Sequence, residues 1–225
     1  MKKTTIAGIE VFLEESERYI QVNDADENAM NALREELDRD YPAYTLVFCY
    51  HNTEPPAACL ESVHAVLADD CVELRLFPEN LTAHTGIIPE RVSEARFAEF
   101  AAFHDRHNPD LYWTSRRIAR DLSRWGIFTV RTDGRLAGYI VLAVWDPLQA
   151  EIFCLFARTA AQKEALLRTA AAYAFGLGIP QVLLMADTLA DHEEAASAAG
   201  FRPTGGFYKG YIREGIEEGP VPYDE

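Results

Sequence analysis

Glu151 is the sole acidic side chain in the apolar run Ala150 to Phe156. A carboxyl drawn into such a strand is pushed toward a higher pKa, where it can act as a general base. The same residue also reads as an edge-of-strand glutamate that touches solvent or pairs with an arginine. Further on, Arg158 and Lys163 flank the expected start of a helix. Unpaired first-turn amides and the positive end of the helix dipole attract phosphate oxygens there, while exposed first-turn cations explain both residues equally well. Tyr112 and Trp113 offer aromatic surface for an acceptor pocket or for core packing. Arg116, Arg120 and Arg124 recur every fourth residue, a cationic stripe that suits a carboxylate or a plain solvated face. His104 and His107, expected on a helix surface, are alternative bases.

Elements that would position these groups are set by hydrophobic period and turn chemistry. The first ninety residues read as strands Ile9 to Leu13 and Tyr19 to Val22, then a helix capped by Asp24 or Asp26 with Met30, Leu33 and Leu37 on one face. Tyr44 to Tyr50 is an apolar strand, Pro55 to Asp69 a second helix, and Cys71 to Phe77 a strand. A turn-rich connector, Pro78 to Ile88, separates this acidic module from a second one. Two helices come next, one around Phe97, Phe100 and Phe103, the other lined by Ile118, Leu122 and Trp125. Thr132-Asp133-Gly134 signals a hairpin between Ile127 to Arg131 and Leu136 to Trp145. Strand Ala150 to Phe156, a helix from Ala160 to Phe175, strand Val182 to Ala186, helix Ala190 to Ala199 and a last strand Gly206 to Ile212 complete the series. No repeat of fixed period is visible in the sequence.

Composition narrows the function classes. The chain has 225 residues and a formal net charge of −15, which opposes nucleic-acid binding because phosphate recognition needs clustered cations. Residues 1 to 90 hold 6 Lys and Arg against 18 Asp and Glu, and the remainder 15 against 18, an asymmetry that fits two modules. No apolar run approaches a membrane span, and Glu10, Glu14 and Glu15 interrupt the N-terminus, so neither secretion nor insertion is expected. Cys49, Cys59, Cys71 and Cys154 lack metal spacing and read as buried thiols of a cytoplasmic protein. No metal site is expected. Elbow, zinc-helix and Walker patterns of unrelated enzymes are missing from the sequence.

In order, GIFTVRTDGRLAGYIVLAVW, AEIFCLF, an Ala/Leu helix, IPQVLLMAD, a helix ending in Gly200-Phe201 and a Tyr-rich strand resemble the acyl-CoA-binding core of the GNAT N-acetyltransferase superfamily. The resemblance covers roughly residues 91 to 213, and Ala150-Glu151-Ile152-Phe153 is its most specific piece. It implies an α/β fold, a mixed twisted sheet flanked by helices over residues 89–213; the strand and helix pattern before it reads as a smaller α/β module at 1–88, and the polar, proline-bearing end at 214–225 reads as a flexible tail. The resemblance further implies acetyl-CoA as cosubstrate, a primary amine on a small molecule or protein as acceptor, and Glu151 as base. Backbone groups of Leu155, Phe156 and Ala157 would hold the pantetheine arm. The family's pyrophosphate loop, R/Q-x-x-G-x-G/A, falls on Arg158, Ala161, Gln162 and Lys163, with both glycine positions replaced. The usual tyrosine acid falls on Ala196, leaving Tyr208, Tyr211, Ser197 or water for that task. Specificity in the family comes from the first two helices and the last hairpin, here Tyr112, Trp113 and Arg116. A homodimer is compatible with this reading. The alternative is a non-catalytic GNAT-like module that binds a partner or metabolite.

Overall fold

A computed structural model describes residues 1–83, 86–108, 112–188 and 192–215. The chain divides into two compact units, Met1–Cys71 with Gly206–Glu225, and Val72–Gly205. The expected boundary near residue 88 falls inside the second unit, and the expected tail at 214–225 lies outside the described residues from 216 onward.

In chain order the elements are β1 (Lys2–Ile6), β2 (Ile9–Glu14), β3 (Tyr19–Asn23), α1 (Glu27–Asp40), β4 (Thr45–His51), α2 (Ala57–Ser62) and β5 (Val66–Leu76). Then come β6 (Glu90–Arg91), α3 (Phe97–His107), α4 (Ser115–Ala119), β7 (Trp125–Thr132), β8 (Arg135–Ala143) and β9 (Ala150–Ala157). The series ends with α5 (Ala160–Gly176), β10 (Val182–Asp187), α6 (His192–Ala199) and β11 (Arg202–Arg213).

The first unit orders its strands β1-β2-β3-β4-β11. β1 and β2 form an antiparallel hairpin closed by Ala7 and Gly8 at φ of +49° and +78°, the left-handed pair that a two-residue type I′ turn requires. β3 runs antiparallel to β2 and parallel to β4, with α1 as crossover. Asp26 caps α1 by accepting from the Ala29 amide at 2.8 Å, and Met30, Leu33 and Leu37 pack onto Ile20, Val22, Leu46 and Phe48. Residues 208–213 of β11 close the unit antiparallel to β4.

The second unit orders its strands β5-β10-β9-β8-β7-β6. β7 and β8 form an antiparallel hairpin through Asp133 and Gly134 at φ of +51° and +76°, β9 follows antiparallel to β8, and α5 leads to β10 parallel to β9. Helices α5 and α6 cover one face through Leu166, Leu167, Ala170, Ala195 and Ala199 on Ile140, Leu142 and Ile152. Helices α3 and α4 cover the other, where Phe100 and Ile118 meet Trp125, Tyr139, Val141 and Cys154. Gly200, at φ of +107°, ends α6 where a Cβ would fall 2.0 Å from the Asn80 carbonyl oxygen, so no other residue fits.

Both units therefore use one order: hairpin, antiparallel third strand, helix, parallel strand, helix, final strand. The final strand is exchanged. β11 follows α6 yet completes the first unit beside β4, while the Val72–Leu76 half of β5 follows α2 yet lies in the second unit beside β10. The sequence shows no repeat, but the topology does.

Strand β1 has no counterpart in the sequence expectation, and two helices end earlier than expected. The helix expected to Asp69 stops at Ser62, because His64 takes a left-handed φ of +58°, and β-branched Val66 opens β5 instead. The helix expected through Trp125 ends at Ala119, and Arg124 lies in a 3-10 turn, so the arginine stripe is not one helical face. Trp125 is drawn into β7 because that strand buries it opposite Ala143. The four cysteines are buried and form no disulfide. No helix among the described residues is long and apolar enough to cross a membrane.

Candidate active site

The central feature is where β9 leaves its neighbours. It pairs in parallel with β10 at Ala150–Val182, Glu151–Leu183 and Ile152–Leu184. β9 runs on to Ala157 and β10 to Asp187, but no further rung joins them among the described residues. On its other side β9 stays paired with β8, with an irregularity that places Ile152 opposite Leu142 and Cys154 opposite Val141. Phe153 is thus the extra residue of a bulge, and a bulge bends and twists the strand that carries it. Backbone groups of residues 153–157 that would face β10 are left for another partner. β9 holds its line against β8 because Gly138 lacks a side chain: a Cβ there would come 2.7 Å from both the Ala157 Cβ and the Phe156 carbonyl oxygen.

Glu151 sits at the last rungs before this parting. Cross-strand partners share a face, so Trp125, Ala143, Glu151 and Leu183 form one row across β7, β8, β9 and β10. That is the face covered by α3 and α4. Glu151 is partly buried, and among the described residues no hydrogen bond or ion pair holds it. Burial alone pushes its carboxyl from an ordinary 4.5 up to about 7, the range suited to a base working near neutrality. Of the plain alternatives, no arginine pairs with it among the described residues, while its partial exposure leaves it within reach of solvent.

Beside the row lies an aromatic cluster. Trp113 lies 4.9 Å from Trp125, 5.4 Å from Trp145 and 5.5 Å from Phe153, ring centre to ring centre, and Trp145 stands 5.0 Å from Trp125 and 5.4 Å from Phe153. Tyr112 meets Trp113 edge-on at 5.1 Å. Arg117, not Arg116, turns inward: its guanidinium lies 3.6 Å over the Tyr112 ring and bonds the Tyr112 carbonyl, whereas Arg116 is exposed. Two adjacent arginines gave no sign of which would be buried. His104, expected on a helix surface, is fully buried and joins its Nε2 to the Trp113 carbonyl at 2.8 Å, which holds the Trp113 segment against α3. Burial lowers its pKa, so the neutral ring donates from Nε2.

Past the parting, β9 turns into α5 at Arg158. Thr159 caps the helix through the Gln162 amide at 3.2 Å. Gln162 is buried: its Oε1 accepts from the Arg158 amide at 3.2 Å, and its Nε2 reaches Thr132 Oγ1 at 3.1 Å. Its side chain thus shapes the turn from inside. The amides of Ala160 and Ala161 precede the first intrahelical acceptor, Arg158 is exposed, and Lys163 is partly exposed on the first turn. Unpaired amides, a dipole end and two cations suit an anion such as a diphosphate, so these residues fit the phosphate group of a CoA cofactor even without glycines.

Tyr208 lies in the first unit, outside the unit that holds Glu151. Its hydroxyl meets Cys49 Sγ at 3.3 Å, its ring leans on His51, and burial drives its pKa far up. Ala196, at the position of the tyrosine in the resemblance, is sealed in the α5–α6 core. Trp125, Trp145 and Phe153 were not anticipated as site residues. The chain's tryptophan positions around Glu151 were the available signal.

No protein-family model matches this sequence, and no curated protein matches it. Solved structures do. A GCN5-related N-acetyltransferase from Kribbella flavida is 15% identical, with 96% of this chain and 91% of that chain covered and a TM-score of 0.66. A conserved protein of unknown function from Staphylococcus epidermidis is 13% identical, covering 95% and 93%, with a TM-score of 0.68. A tandem GNAT protein from the clavulanic acid biosynthesis pathway is 13% identical, covering 94% and 79%, with a TM-score of 0.53. At these identities the likeness is one of fold. By these likenesses, this chain has the fold of the GNAT acetyltransferases.

Proposed function

We propose that the chain is an N-acetyltransferase that moves an acetyl group from acetyl-CoA to a primary amine at the parting of β9 and β10. The observation that carries this reading is an unpaired carboxylate, Glu151, raised to about 7 by burial alone, at the last rungs before two parallel strands separate. When bound, acetyl-CoA supplies an activated acetyl thioester. Backbone groups of Leu155, Phe156 and Ala157 on the side facing away from β8 would pair with its amide-bearing arm. Arg158, Lys163 and the Ala160 and Ala161 amides would hold its phosphates, with Gln162 fixing the turn.

Glu151 does the proton work. An amine arrives as an ammonium of pKa about 10 and must lose a proton before its lone pair can attack. The carboxylate would take that proton, directly or through water, before attack; the C–N bond then forms as the C–S bond breaks, and the second proton shed by the nitrogen would pass through water to the departing thiolate. Tyr112 and Trp113 would form the acceptor's aromatic boundary, with Arg116 exposed beside it. Calorimetric titration with acetyl-CoA, followed by thiol release in the presence of amines, tests the reading. Saturable binding and amine-dependent release are expected. Absence of binding at millimolar cofactor would remove the transferase, and binding without release would leave the non-catalytic module.

A further inference from the structure

We infer that the acceptor carries an aromatic ring or a comparably flat apolar body, seated against Trp145 and Phe153 beside Glu151, and is not a polyamine or a lysine-rich segment. The inference rests on the proposed transferase reading for its chemistry, and on separate observations for its specificity. All three tryptophans of the chain, Trp113, Trp125 and Trp145, belong to the cluster that borders the Glu151 row. Trp125 is 4% exposed and forms the floor, while Trp113, Trp145 and Phe153 are each only partly buried. Ring faces at the edge of a core retain area that an apolar ligand can cover.

Between Trp125 and Glu151 the row is occupied by Ala143, a side chain of one carbon. Strands lie about 4.8 Å apart, so an amine held at Glu151 has its carbon body directed along the aromatic surface. The β8–β9 connection that carries Trp145 also presents Leu148, 68% exposed.

Charge argues against a polycation. Apart from Glu151, the row and the cluster contain no carboxylate among the described residues. The charged groups that touch the rings of this cluster are cations: Arg117 over Tyr112, and Arg124 with its guanidinium 5.4 Å from the Trp145 ring centre. The two acids adjacent along the chain are already engaged, Asp121 with Arg124 at 3.9 Å and Asp146 with the Leu148 amide at 2.8 Å. A polyamine would meet the Glu151 carboxylate, the Arg117 guanidinium and an Arg124–Asp121 pair whose charges offset, with Asp146 held to the Leu148 amide. A monoamine with a ring meets one carboxylate and an aromatic wall.

Because every tryptophan is in this cluster, fluorescence excited at the red edge, where tyrosine does not absorb, reports on the wall alone and needs no turnover. The protein is titrated with 2-phenylethylamine and with spermidine, with and without CoA, while CoA binding is measured separately by calorimetry. The expected result is saturable quenching by 2-phenylethylamine at least ~10-fold tighter than by spermidine, the size of one good aromatic contact. Trp145→Ala and, as a milder change, Phe153→Leu should each weaken it with an unaltered circular dichroism spectrum. Equal or tighter binding of spermidine, or no saturable response to the ring-bearing amine in either condition, would overturn the inference. Bound CoA with no response to 2-phenylethylamine sinks the acceptor class and spares the transferase. A response to 2-phenylethylamine without CoA binding does the reverse.

Discussion

The two units of this molecule share one series from hairpin to final strand, to which the second adds β6, α3 and α4, and within that series they differ most in the pair of parallel strands on either side of the crossover helix. In the first unit all five residues of β3, Tyr19 to Asn23, pair with Thr45 to Cys49 of β4. In the second, pairing of β9 with β10 stops after three rungs. The residue second in β3 is Ile20, 0% exposed in the core, and the residue second in β9 is Glu151. The helix starts differ as well. β3 leads into α1 through Asn23, Asp24, Ala25 and Asp26, which line an open groove of about 490 Å³ with Glu10. β9 leads into α5 through Arg158 and Thr159, with Lys163 on the first turn. A helix N-terminus attracts phosphate only when its neighbours do not repel it. One topology thus yields an acidic unit whose parallel strands stay paired along β3 and a unit whose parallel strands part beyond Ile152.

The largest expected effect comes from removing what only the second unit has. Glu151→Gln should lower kcat by about 10²–10⁴-fold while acetyl-CoA affinity stays within about twofold, because an isosteric amide keeps the local packing. Wild-type kcat/KM should fall as pH drops below about 7, since the protonated carboxyl cannot accept the amine's proton, and that limb should vanish in the variant. The same shift has a stability consequence. A folded carboxyl that holds its proton up to about 7 rather than 4.5 makes folding less favourable as pH rises through that window. Glu151→Gln should therefore match wild type near pH 4.5 and be the more stable protein at pH 8, by on the order of 1–3 kcal/mol. Unchanged turnover would erase the functional distinction between β3 and β9.

Next in size is a charge contrast between the two helix starts. Arg158→Glu with Lys163→Glu should raise the acetyl-CoA Kd by roughly 100-fold, since two charge-assisted contacts become repulsions. Asp26→Ala in the first unit should leave that Kd alone while costing about 1 kcal/mol of stability through the lost α1 cap. If the first-unit variant altered cofactor affinity and the second-unit one did not, the assignment of sites would be reversed. Smallest is Gly138→Ala. Its added Cβ would press on Ala157 and should lower the unfolding free energy by about 1–3 kcal/mol, with a higher KM for acetyl-CoA as β9 shifts.

Much of the second unit was legible because its signals are local. Asp133-Gly134 announced a hairpin, Gly200-Phe201 a helix end, and a lone glutamate in an apolar strand a perturbed carboxyl. The first unit's equivalent hairpin was missed because Ala7-Gly8 follows a strand, Lys2 to Ile6, with polar residues at most positions. The repeat was invisible since it survives in element order and not in residue identity. The strand exchange depends on pairing between residues as distant as His51 and Tyr208, which no local period encodes. That separation also explains why Tyr208, one of the substitute acids left once the usual tyrosine position falls on Ala196, belongs to a different unit from Glu151. The inward turn of Arg117 and the buried strap from His104 arise from packing of α3 against α4, where sequence spacing tells faces apart only when the helix is long enough to establish one.

Amide hydrogen exchange with and without acetyl-CoA tests the central claim most directly, because it reads both strand–helix junctions in one experiment. The account predicts that cofactor slows exchange at residues 153–157 of β9 and at 160–162 of α5, and leaves residues 23–29 unchanged. Protection at the β3–α1 junction, or none at either, would contradict it.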